Sequence, residues 1–430
     1  MIDKNILPEG WEVKKLGEIV KTTSGGTPSR KEPNFYSGNI PWVKSGELNQ
    51  GLILDTEEKI TEEAIKTSSA KVFPKGTLLI ALYGATIGKL SFLGIDAATN
   101  QAVCGIFENE KVSSKFLYYY LFFSKPDLIK QSIGGAQPNI SQGILKYLEL
   151  PFPPLSEQLE IVAKIEELLS KLDQGKQLLE TAQQQLKVYR QAVLKWAFEG
   201  KLTNPEIKGG ELPEGWKLVK TGEVIKTINN GYTPKKEFLS DGSGEIPFIK
   251  VYNLNFDGTL NSKKNPTFIP KATHEKDLKR SICYPGDVLI NIVGPPLGKV
   301  SVVSNEYPEW NINQAIVLFR PNDKISSKYI SYFLQNPVTI NWLENTSKAT
   351  AGQWNIKVTT CREIPFPLAP IEEQNQIVHE IESRLSVCEK VEETIAQSLL
   401  QAETLRQSIL KQAFEGKLTS INQELNLAIL

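Results

Sequence analysis

The chain has 430 residues, enough for two or more domains with their own cores, and its 49 Lys and Arg balance 49 Asp and Glu. Overall charge therefore gives no sign of a nucleic-acid partner, and any basic face must be assembled by folding. No run of about 18 apolar residues marks a membrane span, the N-terminus lacks the apolar core of a secretory signal, and four cysteines without CxxC spacing fit a reduced, cytoplasmic protein.

The first predicted element is a turn, Leu7-Pro8-Glu9-Gly10-Trp11, with the Trp as a core anchor. A glycine-rich loop follows, Ser24-Gly25-Gly26-Thr27-Pro28, with Arg30 and Lys31 behind it, and then Ile40-Pro41-Trp42-Val43-Lys44-Ser45. The apolar run Thr77–Tyr83 reads as a strand closed by Gly84, Gly88 and Lys89. Asn100-Gln101-Ala102 leads into a further strand-like run, and Ser113 caps a short helix crowded with Phe116, Tyr118, Tyr119, Tyr120, Phe122 and Phe123. These rings are expected in the core. Gln137, Asn139 and Ile140 precede Pro151-Phe152-Pro153, after which the longest element begins.

From Leu155 to Glu199 there is no Pro, and apolar residues recur every seventh position at Ile165, Leu172, Leu179, Leu186 and Val193, flanked by Val162, Leu169 and Ala197. This is the seam of a coiled-coil helix, about 68 Å long, with Gly200 where it should stop. Its final string, Ala197-Phe198-Glu199-Gly200-Lys201-Leu202-Thr203, returns unchanged at Ala413–Thr419, an offset of 216 residues, and the seam returns with it as Ile381, Cys388, Ile395, Ala402 and Ile409. The chain is an internal duplication.

The globular landmarks return too. Leu212–Trp216 repeats the first turn, and Asn230-Gly231-Tyr232-Thr233-Pro234 with Lys235 and Lys236 repeats the glycine-rich loop. Ile246–Lys250 with Tyr252, Gly294–Lys299, Asn313-Gln314-Ala315, Ser326 and the trio Gln353, Asn355, Ile356 complete the ladder. The frame is duplicated while the loop chemistry drifts, which suggests two related tasks with different specificities.

No catalytic constellation stands up. The GxxxGK strings at Gly84 and Gly294 have three residues between the glycines and no Ser or Thr after the Lys, so they are read as turns rather than phosphate loops. The two histidines, His274 and His379, have no counterparts in the other repeat, which argues against Ser-His, Cys-His or His-ligated zinc chemistry. Acidic pairs such as Glu57-Glu58 are read as solvated faces or helix starts. The short polar and basic residues at the glycine-rich loops are of the types that read base edges and hold phosphates.

Taken together, the Gly-Trp openings, the GGTPS, IPW, NQA and PLSEQ elements and the doubled AFEGKLT resemble the specificity subunit of type I restriction–modification systems, from Leu7 to Thr419. The second repeat departs at Tyr232 and at Ala369–Gln374. The resemblance implies an α+β fold with two mixed α/β target-recognition domains, separated by two long antiparallel coiled-coil helices about a pseudo-twofold axis. Expected boundaries are 1–154 and 212–370 for the recognition domains and 155–203 and 371–419 for the helices. Residues 204–211 form the linker and 420–430 a tail.

The resemblance also implies a non-catalytic subunit that binds double-stranded DNA and directs two adenine-N6 methyltransferase subunits and restriction–translocase subunits. No cofactor or metal is expected on this chain, with S-adenosylmethionine, ATP and magnesium belonging to the partners. The candidate DNA-binding residues are Thr27, Arg30, Lys31, Lys44, Ser45, Tyr83, Lys89, Gln101, Gln137 and Asn139, and, in the second repeat, Tyr232, Thr233, Lys235, Lys236, Lys250, Tyr252, Lys299, Gln314, Gln353 and Asn355. Lys31, Lys44, Lys235 and Lys250 are expected on phosphates. Lys176 interrupts the seam near the middle of the first helix, and its repeat equivalent is Glu392, so the two are expected to pair and fix register, with two snorkelling surface charges as the alternative. Two other functions stay open on sequence alone: a coiled-coil interaction protein, and a methyltransferase or nuclease with an unrecognised site.

Overall fold

The computed structural model describes residues 7–49, 51–132, 139–347 and 354–418. It divides into two compact units, one built from the N-terminal part to Leu179 with the chain from Gln397, the other from Glu180 to Ala396. The boundary cuts both long helices, Leu155–Phe198 and Ile371–Phe414, so each unit owns a globular part and half of each helix. Gln137 and Gln353 lie outside the described residues.

In the first unit the strand Leu78–Ala81 lies between Val103–Ile106 and Leu90–Leu93, antiparallel to both, with Thr22–Ser24 and Leu52–Ile53 at the edges. All four residues of Leu78–Ala81 are buried, because both faces of this sheet are covered. Leu78 and Ile80 enter the core shared with the helices, while Leu79 and Ala81 enter a second core with Val43, Leu48 and Phe73. A second sheet pairs Ile40–Val43 in parallel with Ala97–Thr99. The second unit repeats the plan. Val288–Asn291 lies between Ile316–Arg320 and Val300–Val302, sending Val288 and Ile290 to the helix side and Leu289 to the other. Ile246–Ile249 pairs in parallel with Trp310–Ile312.

The long helices run antiparallel, each packing its N-terminal half against the C-terminal half of the other. In the first unit Ile161, Val162, Ile165 and Leu169 share a core with Ile409, Leu410, Ala413 and Phe414. In the second, Val193, Ala197 and Phe198 share one with Ile377, Val378 and Ile381. The heptad seam is buried at Ile165, Val193, Ile381, Cys388, Ile395 and Ile409 and half-buried at Leu172, Leu179, Leu186 and Ala402.

The helices end at Phe198 and Phe414, the first one residue before Glu199 and both short of the expected segment ends at 203 and 419. The glycine that follows explains the doubled string. Gly200 has φ +77° and Gly416 φ +71°, a left-handed conformation that costs any other residue. A Cβ at Gly200 would stand 2.2 Å from the ring of Pro213, and one at Gly416 2.1 Å from that of Pro8. The end of each helix is thus seated on a Leu-Pro-Glu-Gly-Trp turn. The phenylalanine before it is a ring anchor: Phe414 lies 5.0 Å from Tyr120 and 5.4 Å from Phe116, and Phe198 lies 5.0 Å from Tyr329 and 5.5 Å from Phe333. The crowded aromatic helix is core, as its composition suggested.

The register pair is different from the one expected. Glu392 is held by Arg190, with bonds of 3.2 and 2.9 Å, and Lys176 is exposed. In the first unit Arg406 binds Asp173. Arg190 and Arg406 are themselves repeat equivalents, 216 residues apart, so the duplicated device is an arginine. Its acid has moved by three residues between repeats, from the position of Asp173 to that of Lys176, which keeps it on one helix face.

Candidate nucleic-acid interface

Each unit presents its glycine-rich loop against its Asn-Gln-Ala turn. Gly25 N–H donates to the Val103 carbonyl at 3.0 Å and Gly26 N–H to that of Thr99 at 2.9 Å. In the second unit Gly231 N–H donates to Ile316 at 3.0 Å. The approach is too close for a side chain: a Cβ on Gly25 would lie 2.1 Å from the Thr99 carbonyl oxygen, and one on Gly231 2.1 Å from that of Asn313. This contact is what the glycines are for, and it brings the threonine two positions on, Thr27 or Thr233, onto the glutamine of the turn. Thr27 Oγ1 donates to Gln101 Oε1, and Gln314 N–H reaches Thr233 Oγ1 at 3.5 Å.

Two more candidates join this cluster. Burial raises the Tyr83 pKa above the usual phenol value, with the neighbouring Gln101 side chain opposing it. Asn139 bridges to Tyr83 across a backbone ladder, tied down by Ile140 N–H on the Leu82 carbonyl at 2.8 Å. The same ladder in the second unit sets Asn355 opposite Val293, with Ile356 N–H on Ile292 at 2.9 Å. Thr27, Gln101, Tyr83 and Asn139 are thus one surface group, and Thr233, Gln314 and Asn355 stand in the equivalent frame. The aromatic differs. Tyr83 has Val293 as its counterpart, whereas Tyr232, 60% exposed, replaces Gly26.

The basic candidates divide into engaged and free. Lys44 Nζ lies 2.7 Å from Glu57 and 3.1 Å from Glu58, and Arg30 makes 2.6 and 3.3 Å bonds to Glu58 while its guanidinium lies 4.2 Å from the centre of the Tyr36 ring. The Arg30 bond depresses the Glu58 carboxyl pKa, burial opposes that, and Lys44 adds to the depression. Glu57-Glu58 is therefore the counter-ion of two candidate DNA-binding residues, Lys44 and Arg30, rather than an idle solvated pair. Lys250 meets no carboxylate among the described residues and lies 5.8 Å from the centre of the Tyr252 ring. Lys299 lies 5.7 Å from that of Phe256, an exposed ring. Lys31, Lys235 and Lys236 are exposed, Lys235 with Glu237 at 3.9 Å, and Ser45 and Lys89 are half-buried. Lys89 closes the expected turn, Ala81 N–H donating to its carbonyl at 2.9 Å.

Two residues the sequence reading passed over fasten this apparatus to the helices. Gln158 and Gln374, repeat equivalents in the first turn of each long helix, are fully buried. Gln158 Oε1 accepts Ser113 N–H at 2.9 Å, and its Nε2 donates to the Pro153 and Lys111 carbonyls at 2.9 and 3.2 Å. Gln374 does the same with Ser326, Ala369 and Lys324 at 3.1, 2.8 and 3.0 Å. The recurring Glu-Gln after a Pro was the available signal. Paired bridges Lys115–Glu166 at 2.8 Å and Lys328–Glu382 at 2.6 Å repeat the link one helix face along.

Among the described residues no helix is long and apolar enough to cross a membrane. All four cysteines are free and buried, and burial pushes the thiol pKa of Cys104 up to about 12. His274 is a core residue, between Glu309 and Asn311 at 3.1 Å each, and His379 is exposed.

The family model described as Type I restriction modification DNA specificity domain matches residues 8–187 and 213–401. The specificity subunit of the type I restriction enzyme EcoBI of Escherichia coli is 31% identical over 446 residues, covering 98% of this chain and 90% of that protein. That of StySPI from Salmonella potsdam is 25% identical over 430 residues, covering 97% and 91%. Among solved structures, the HsdS subunit of Thermoanaerobacter tengcongensis superposes with a TM-score of 0.62 at 23% identity, over 96% of this chain and 98% of that one. A chain from a structure of the type I R-M system, titled for its complex assembly and conformational transition, superposes with a TM-score of 0.71 at 22% identity, over 96% and 99%. Those two likenesses speak to the fold; the doubled family match and the EcoBI relative carry the assignment, and the chain belongs to the type I restriction modification DNA specificity family.

Proposed function

We propose that this chain is the DNA sequence-recognition subunit of a type I restriction–modification complex, reading a bipartite and asymmetric target. The observation that carries this is the doubled frame with unlike side chains: loop, turn and ladder recur, while Tyr83 is replaced by Val293 in the second repeat and Gly26 by Tyr232. Equivalent frames with different chemistry read different half-sites. Catalysis belongs to partners, two adenine-N6 methyltransferase subunits and the restriction–translocase subunits. S-adenosylmethionine, ATP and magnesium act there. The long helices and the AFEGKLT ends are the surfaces for docking those partners. Thr27, Gln101, Tyr83, Asn139, Tyr232, Thr233, Gln314 and Asn355 face base edges, while Lys31, Lys235, Lys236, Lys250 and Lys299 hold phosphates.

The test is methylome sequencing of cells with the gene present and deleted. Deletion should erase one non-palindromic motif made of two short blocks separated by unspecified bases. A palindromic or single-block motif would overturn the bipartite reading.

A further inference from the structure

The two glutamines at equivalent turn tips are in different hydrogen-bonding states, and we infer that Gln101 reads a guanine while Gln314 reads an adenine. The inference rests on the DNA-reading function proposed above. Both turns are built alike. Asn100 N–H bonds the Val43 carbonyl at 2.9 Å and Asn313 N–H that of Ile249 at 3.0 Å, while the Val103 and Ile316 amides close the turns at 3.1 and 3.2 Å. Both glutamines are exposed at the tip.

A free glutamine amide offers one acceptor oxygen and two N–H donors. Adenine shows the major groove an acceptor, N7, and a donor, N6, so reading it bidentately takes both halves of the amide. Guanine shows two acceptors, N7 and O6, and takes donors only. In the first unit the Gln101 carbonyl oxygen already accepts from the Thr27 hydroxyl. What remains for a base is N–H. In the second unit the equivalent threonine is bonded by the Gln314 backbone instead. The Gln314 side chain makes no bond among the described residues, so acceptor and donor are both on offer. Thr27 acts as the positioning residue that sets which edge Gln101 fits.

The experiment compares the methylation motif of the whole complex in cells carrying the parent chain, Gln101→Ala, Thr27→Val or Gln314→Ala. Gln101→Ala should relax one guanine position in one block only, and Gln314→Ala one adenine position in the other. Thr27→Val keeps shape and removes a hydroxyl, so it should widen that same guanine to either purine, lowering its preference over adenine about tenfold. The unaltered block in each variant reports that the chain is folded and assembled. Relaxation at a base other than guanine for Gln101, or no relaxation with Thr27→Val, overturns the assignment. If Thr27→Val abolishes methylation, the purified complex is measured on duplexes with guanine or adenine at the position, and an unchanged affinity ratio overturns it. A parent without any split motif would instead sink the bipartite function itself.

Discussion

Lys44 and Lys250 occupy the same place in the duplicated frame yet carry different electrostatic histories. Lys250 is free of carboxylates among the described residues, so Lys250→Ala should lower the slope of log affinity against log salt by about one. Lys44 is already neutralised by Glu57 and Glu58, and Lys44→Ala should lower it by less. Salt titrations of DNA binding by the assembled complex check both. The same acids predict a pH signature. Because the folded Glu58 pKa is depressed, by Arg30 first, its stabilisation is fully present above the ordinary value of 4.5 and is lost as pH falls through the depressed one. The stability advantage of the parent over Glu58→Gln should therefore hold at neutral pH and shrink on the acid side in parallel denaturation curves. A larger effect is expected in the core. Gln158→Ala or Gln374→Ala strands one N–H and two carbonyls that were buried and bonded, at a cost of about 2–4 kcal/mol by denaturant unfolding. Sequence placed Thr27, Gln101 and Asn139 among the candidates because their residue types and spacing recur. It could not show that Glu57-Glu58 faces Arg30 and Lys44, since that contact joins residues 13 to 28 positions apart through folding.

The long helices were the most legible elements, because a seven-residue apolar repeat without Pro has few other meanings. Their seam and antiparallel sense follow from that period and the duplication. The centre of contact did not. The midpoint of the helix would set Lys176 against Glu392, but Glu392 is reached by Arg190, further along the first helix. The charges that meet are consequently Arg190 with Glu392 and Arg406 with Asp173. Arg190 and Glu392 side chains are 27% and 33% exposed, and the contact is a two-bond one, so their coupling in a double-mutant cycle with alanine should be about 1 kcal/mol. The cycle pairing Lys176→Ala with Glu392→Ala should give no coupling. A coupling there equal to that of Arg190 would restore the original pair.

At the scale of the molecule, the duplication closes on itself. In the second unit the end of the first helix sits on the next Leu-Pro-Glu-Gly-Trp turn, Gly200 against Pro213, and the two are joined by the short linker 204–211. In the first unit the end of the second helix sits on the opening turn in the same way, Gly416 against Pro8, with no peptide connection between them. The contact is therefore made by packing and by glycine geometry, and the linker is a convenience of chain order rather than its cause. The linker is also a poor holder: Pro205, Glu206 and Lys208–Glu211 are exposed, and its backbone bonds are local, Ile207 N–H to Asn204 at 3.1 Å and Glu211 N–H to Lys208 at 3.2 Å. Loop closure costs grow only slowly with length, so moving the break should cost little. A circular permutant that opens the chain between Glu206 and Gly209, and joins Leu418 to Leu7 through a segment as long as the one between Leu202 and Leu212, should fold to the same cores. Its unfolding midpoint should match that of the parent, and its methylation motif should keep both blocks and their spacing. The Thr203 and Asn204 side chains give a sharper boundary to this expectation. They bond Glu373 at 2.7 and 2.9 Å beside the Trp216 indole, which donates to the same carboxylate at 2.8 Å. A break placed before Thr203 would remove that clasp, so the permutant opened there should be measurably less stable than one opened after Glu206. Equal stability of the two permutants would mean that the clasp contributes nothing, and a lower midpoint of both relative to the parent would mean that the covalent linker holds the helix end on its turn.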